Sequence, residues 1–210
     1  MNTLLHPTYF PNVATLVTLV NQEVIWEVHD NYQKQTYRNR CHICTDQGKH
    51  VLTVPIKHAG GATGRQKYRD VRIDNSYSWQ QQHWRTLQTA YRTSAFFEFY
   101  EDDLAPIFHK KQDFLLDFNF ETIYFLLSNM SLSIPKDKTS SYLTNLEGGN
   151  DFRVLATAKK QPIFENTPYF QVFDDRNGFI KNTCGLDLLF NEGTNALTYL
   201  QNQKPPLLNG

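Results

Sequence analysis

Two short apolar runs flank one helical stretch at the start of the chain, and this arrangement constrains the fold more than any other segment. Residues 3–5 (TLL) form the first run, residues 11–21 place Val13, Leu16, Val17 and Val20 on one helical face, and residues 23–28 (EVIWEV) read as a strand. The spacing predicts a βαβ unit. Its right-handed crossover makes the two strands parallel, so residues 6–12 and 29–34 leave the sheet at the same edge and become neighbours.

Residues 36–45 and 50–56 then read as a hairpin around a Gly-containing turn, and residues 57–67, with AGGATG, as an exposed loop before a strand over 69–73. Ser78 with Gln81 forms a capping-box signature ahead of a helix over 79–93, and further helices are expected over 97–110 and 113–131. Residues 133–162 have weak periodicity and are expected to be a mobile segment. After it come a strand over 169–173, a turn over 174–178, a helix over 184–191 stopped by Gly193, and a last short helix capped by Thr194. The fold class is therefore α/β: a mixed sheet with an N-terminal βαβ unit and a hairpin, covered by a cluster of helices, with α+β as the alternative. No Pro/Gly/Ser linker divides the 210 residues, so one domain is expected over 1–202, with a tail over 203–210 that frays.

Charge and cysteine usage narrow the function classes. Lys plus Arg and Asp plus Glu are equal at 21 each, so no overall field favours nucleic acid or anionic lipid. The N-terminal stretch is broken by His6, Pro7, Pro11 and Asn12, which argues against a signal peptide or membrane span. Three unevenly placed cysteines agree with a reducing compartment, and a cytoplasmic location is expected. Cys41 and Cys44 form a lone CxxC without the four ligands a tetrahedral zinc site needs, GGATGRQK lacks the ending of a phosphate-binding loop, and no cofactor motif is present, so neither metal nor cofactor is expected.

Two constellations could carry chemistry. In His6-Pro7-Thr8-Tyr9-Phe10-Pro11 the prolines stiffen the turn after the first strand, which displays His6 as an acid/base candidate and Tyr9 beside it. The alternative is a histidine that only holds the turn. In residues 32–40, strand alternation sends Lys34, Thr36, Arg38 and Arg40 to one face, an anion-site pattern with Asn39 beside it. Asp70 and Arg72 alternate with apolar residues and would buttress the basic run, while His83 shares a helix face with Trp79 and Leu87, where a core role competes with one in the site wall.

HPTYFP, NYQKQTYRNRCHI, LTVPIK, RDVRIDNSYSW followed by HW, FFEFYEDD and GFIKNTCGLDLLFNEG together resemble the WbqC-like family of bacterial proteins, in family order over nearly the whole chain. The resemblance implies a part in lipopolysaccharide O-antigen assembly, with transfer of a glycyl or similar acyl group to a sugar. Glu27-Val28-His29-Asp30 stands where many members have a paired-Asp segment, and Cys184-Gly185 where Ser-Ile is more usual, so no acidic catalytic role is carried over to Glu27 or Asp30.

The reading that results is a transferase whose partners are a sugar or nucleotide-sugar and an activated acyl donor. His6 would deprotonate the acceptor, Asn39 would orient the acyl oxygen, and Arg38 and Arg40 would hold an anionic group. Tyr9, Lys34, Asp70, Arg72 and His83 would complete one shared concave site. The rivals are a non-catalytic module for an anionic glycan or protein partner, and a purely structural pairing of Asn39 and Arg40 against Asp70.

Overall fold

The computed structural model describes residues 2–57, 66–146, 148–159 and 162–207. Strand β1 (Asn2–Leu5), helix α1 (Val13–Asn21) and strand β2 (Glu23–Trp26) form the expected βαβ unit, with Asn2 opposite Glu23 and Leu5 opposite Trp26 in parallel register. Asn12 caps α1 by accepting from the Thr15 amide at 3.0 Å and its hydroxyl at 2.8 Å. The helix is buried along most of its length, so Thr18 returns its hydroxyl to the Ala14 carbonyl.

Residues 36–39 do not extend the hairpin. Gln35 takes φ 59°, and the following backbone bonds to separate segments: Tyr37 exchanges bonds with Tyr9 and Ala156, and the Asn39 carbonyl accepts from Val54. The antiparallel hairpin therefore pairs only β3 (Arg40–Thr45) with β4 (Gly48–Thr53), turning where Gly48 adopts φ 90°. Over 69–73 the expected strand is replaced by a 3₁₀ turn at Tyr68–Asp70 and single bridges from Ile73 to Ile56 and from Arg72 to Phe114. Tyr68 causes the change, because its buried ring donates its hydroxyl to the Pro7 carbonyl at 2.7 Å and pulls the chain inward. Most of the loop expected over 57–67 lies outside the described residues.

Helices α2 (Trp79–Tyr91), α3 (Phe97–His109) and α4 (Leu115–Asn129) stand where their apolar periodicity places them. A third parallel strand, β5 (Asn150–Asp151), pairs with β1 and gives the sheet order β2-β1-β5. It lies within the weakly periodic segment, and two residues are too few to leave an alternation.

No strand forms over 169–173. Tyr169 and Gln171 turn their side chains onto Asp187 instead, and a single turn, α5 (Asp174–Asn177), follows. Helix α6 (Gly185–Glu192) packs so closely on α1 and α4 that a Cβ at Gly185 would stand 2.7 Å from Leu16 and 2.8 Å from Leu126. A 3₁₀ turn at Gly193–Asn195 runs directly into α7 (Ala196–Gln201), so Thr194 is not its cap. Parallel and antiparallel sheets under a helical layer make the class α/β. Among the described residues no helix is long and apolar enough to cross a membrane.

Candidate functional site

Because β1 is central, the chain passes to β2 on one side and to β5 on the other. In parallel sheets that reversal opens a crevice at the carboxyl ends of the strands. Here it is a cavity of about 380 Å³ lined by His6 after β1, Asp30 beyond β2, Asp151 and Arg153 at β5, and Arg38 and Tyr142 from flanking segments. The expected neighbourhood of the two loops is real: His6 Nε2 lies 3.2 Å from Asp30 Oδ2.

The same Asp30 oxygen accepts from Arg38 Nη2 at 3.1 Å, and Oδ1 accepts from the Asn31 amide at 2.6 Å. Burial pulls the Asp30 carboxyl upward, but the His6 hydrogen bond and charge, the Asn31 amide and Arg38 outweigh it and hold its pKa below the ordinary value. Burial, aided by the Arg38 guanidinium, lowers the His6 pKa against the pull of Asp30, so His6 is neutral at pH 7. Its Nδ1 faces the Glu27 carbonyl at 3.3 Å, an oxygen that only accepts. One proton on a neutral ring cannot serve two acceptors, whereas an imidazolium satisfies both. The ring is thus held neutral in surroundings already arranged for a second proton.

The walls are fixed by fully used polar groups. Glu27 is buried, and its carboxylate collects the His29 amide at 2.7 Å, the Thr139 hydroxyl at 3.2 Å and the Leu143 amide at 3.0 Å, which fastens the segment carrying Tyr142. Arg153 grips Asp151 through Nε and Nη2 and reaches the Leu143 carbonyl at 2.6 Å and the Thr144 carbonyl at 3.1 Å. Arg38, by contrast, is 1% exposed, and its Nε and Nη1 have no protein partner. Its guanidinium lies 5.6 Å from the Tyr68 ring centre, and its carbonyl accepts from Asn119 at 2.6 Å.

The sequence-derived residues do not all gather here. Arg38 and His6 meet, but Lys34, Asn39 and Arg40 line a different hollow of about 500 Å³, because the turn at Gln35 cancels the strand alternation assumed for this run. A hollow of about 290 Å³ shares Thr157 with the first and Lys34 and Gln35 with the second. Tyr9 is fully buried with its hydroxyl 2.9 Å from His83 Nδ1, so this pair belongs to the core and not to a pocket wall. Asp70 is exposed beside Arg69 at 3.8 Å, and Arg72 lies over the Phe114 ring at 4.6 Å; neither touches the basic run. The sequence reading gives Asp30 no role and does not single out Tyr142, Asp151 or Arg153, although it does place residues 29–34 beside His6.

A larger hollow of about 590 Å³ lies between the hairpin turn, α2 and α5, but its titratable residues, Asp46, His50, Arg85 and Arg176, are all exposed. The buried, mutually engaged charges are at the sheet edge, where perturbed ionisation marks a functional candidate.

The Tyr9–His83 pair makes a separate prediction. The Tyr9 hydroxyl lies 2.9 Å from His83 Nδ1, and burial pushes the His83 pKa down to about 4. Above pH 6.5 both folded and unfolded states hold this histidine neutral; between 6.5 and about 4 only the unfolded state takes the proton, so stability falls as pH falls. At about 1.36 kcal/mol per pH unit, the loss approaches roughly 3 kcal/mol by pH 4. Urea unfolding from pH 7.5 to 4 should show at least this slope, to which His42, also lowered to about 4 by burial, and His6 add in the same direction, and His83→Gln should make it shallower; an unchanged slope in that variant would assign the acid sensitivity elsewhere.

Comparison with known proteins follows the same stretch of chain. The model of the WbqC-like protein family matches residues 6–163, which include the cavity residues from His6 to Thr157. A relative from Mycobacterium tuberculosis (strain ATCC 25618 / H37Rv), named Uncharacterized protein Rv1507c, is 36% identical over 97 residues, 46% of this chain and 40% of that protein. The chain thus spans well under half of that relative's length. No solved structure matches the chain.

Proposed function

The chain belongs to the WbqC-like protein family, and from that premise we propose that it is a transferase of surface polysaccharide synthesis that moves an acyl group, such as glycyl, onto a sugar or nucleotide-sugar. The observation that carries the reading is the His6–Asp30–Arg38 group in a polar cavity at the sheet's carboxyl edge. In this scheme the acceptor hydroxyl or amine donates to Asp30. As its oxygen or nitrogen forms the new bond to the acyl carbon, the bond from that carbon to the activating group breaks and the electron pair leaves with that group. The acceptor's proton passes through Asp30 to His6, whose two ring nitrogens already face acceptors. The hydrogen bond and charge of His6, the Asn31 amide and Arg38 together hold the Asp30 pKa below its ordinary value, so that it is ionised and can take part.

These roles differ from the ones the sequence suggests. His6 acts through Asp30 rather than alone, and Asn39, which lines the other hollow, is not a neighbour of this proton path. The test is incubation of the purified chain with sugar nucleotides and aminoacyl or acyl thioester donors, read by mass spectrometry for an acylated sugar. Product formed by the wild type and reduced roughly a hundredfold or more in Asp30→Asn and His6→Ala is the expected result. Product formed equally by these variants, with folding intact by circular dichroism, would remove the dyad from the chemistry.

A further inference from the structure

The hollow around Arg40 is separate from the proton path, and its residues define a ligand of their own. It encloses about 500 Å³, ample for a small-molecule group. Lys34 and Arg40 bring two positive charges to it from either side of the turn, and neither has an ion-pair partner among the described residues. Two buried polar atoms of its lining residues lack partners: Arg40 Nε and Oδ1 of Asn39, a residue only 6% exposed whose Nδ2 is spent on the Val54 carbonyl at 2.9 Å. Both atoms are closed off from solvent, so the free protein bears the cost of leaving them unpaired. The one carboxylate in the lining, Asp74, already has Oδ1 engaged by the amide and hydroxyl of Ser76 at 3.0 and 2.7 Å.

Two aromatic rings complete the wall. Tyr32 packs against the core beside Tyr68, and Tyr77 stands at the rim, 66% exposed. A guanidinium and an ammonium suit phosphate oxygens, and tyrosine faces suit a planar base.

We infer that this hollow binds the nucleoside diphosphate portion of a nucleotide-sugar, through Lys34 and Arg40 on the phosphates and Tyr32 and Tyr77 against the base. A hollow of about 290 Å³ shares Lys34 and Gln35 with it and Thr157 with the His6–Asp30 cavity, so a sugar attached to the diphosphate has lining residues in common with the proton path to follow. This deepens the transferase reading and rests on it only for the sugar's fate; nucleotide binding stands independently.

The test is isothermal titration of the full chain with UDP, GDP and dTDP in turn, with uridine and inorganic pyrophosphate as partial ligands. At least one diphosphate should bind, and Lys34→Ala and Arg40→Gln should each weaken it roughly tenfold or more, about the worth of a charge-assisted hydrogen bond. Tyr77→Ala should weaken the nucleotide but not pyrophosphate. Lys34 and Tyr77 are exposed, so these two variants remain informative if Arg40→Gln folds poorly. Asp30→Asn should leave nucleotide affinity within about twofold while removing transfer, which separates failure of this inference from failure of the proposed reaction. Absence of binding by all three diphosphates, or binding indifferent to Lys34, Arg40 and Tyr77, would overturn it.

Discussion

Asp187→Ala should lower the unfolding free energy by about 4 kcal/mol, because one fully buried carboxylate organises four donors that would lose their acceptor. Its Oδ1 accepts from Tyr91 at 2.7 Å, and Oδ2 accepts from Tyr169 at 2.5 Å, Gln171 at 2.7 Å and Thr183 at 3.0 Å. The Tyr91 hydroxyl also accepts from the Cys44 amide at 3.1 Å, so the network ties α6 to α2 and the hairpin. Burial raises the carboxyl's pKa against the pull of these donors. Asp187→Asn keeps the shape but turns one acceptor into a donor facing other donors, so it should also destabilise, by less than the alanine change. Urea unfolding at pH 7.5 measures both. A loss below about 1 kcal/mol for Asp187→Ala would mean that the network is replaceable by water.

Arg38→Met should cost about 3 kcal/mol, the range for breaking a buried ion pair, since methionine fills much of the stem's space but leaves Asp30 without its guanidinium. The two guanidinium nitrogens without protein partners are lost too, which offsets part of the cost. Ionisation distinguishes this from a packing defect. Arg38 lowers the His6 pKa and helps hold Asp30 low, so its removal should raise both. Ring-nitrogen NMR titration of His6 should therefore move to higher pH in Arg38→Met. A destabilised variant with His6 titrating as in the wild type would make Arg38 a packing residue only.

The parts of this architecture that were readable share a cause. The βαβ unit and helices α2 to α4 carry enough residues for a period to show, and parallel pairing of β1 with β2 then forces residues 6 and 30 together. Strand β5 was invisible because Asn150–Asp151 is two residues long, and with it went Asp151 and Arg153. Asp30 was set aside because its surroundings depart from the family's acidic pattern, although its place at the sheet edge was implied by topology. Lys34 and Arg38 were assigned one face by alternation that the left-handed Gln35 interrupts. Tyr9 looks like a display residue in sequence and His83 stands on an apolar helix face, and each is the other's buried partner, 74 positions away.

Placement of the working site at the sheet's carboxyl edge, rather than in the larger hollow by α2, is tested most directly by amide and side-chain NMR shift mapping with a nucleotide-sugar. Perturbations concentrated at Asp30, Arg38, Arg153 and Thr157, continuing to Lys34 and Arg40, are the predicted result. Perturbations confined to Thr45, Arg85, Thr89 and Arg176, with the His6–Asp30 pair unmoved, would contradict it.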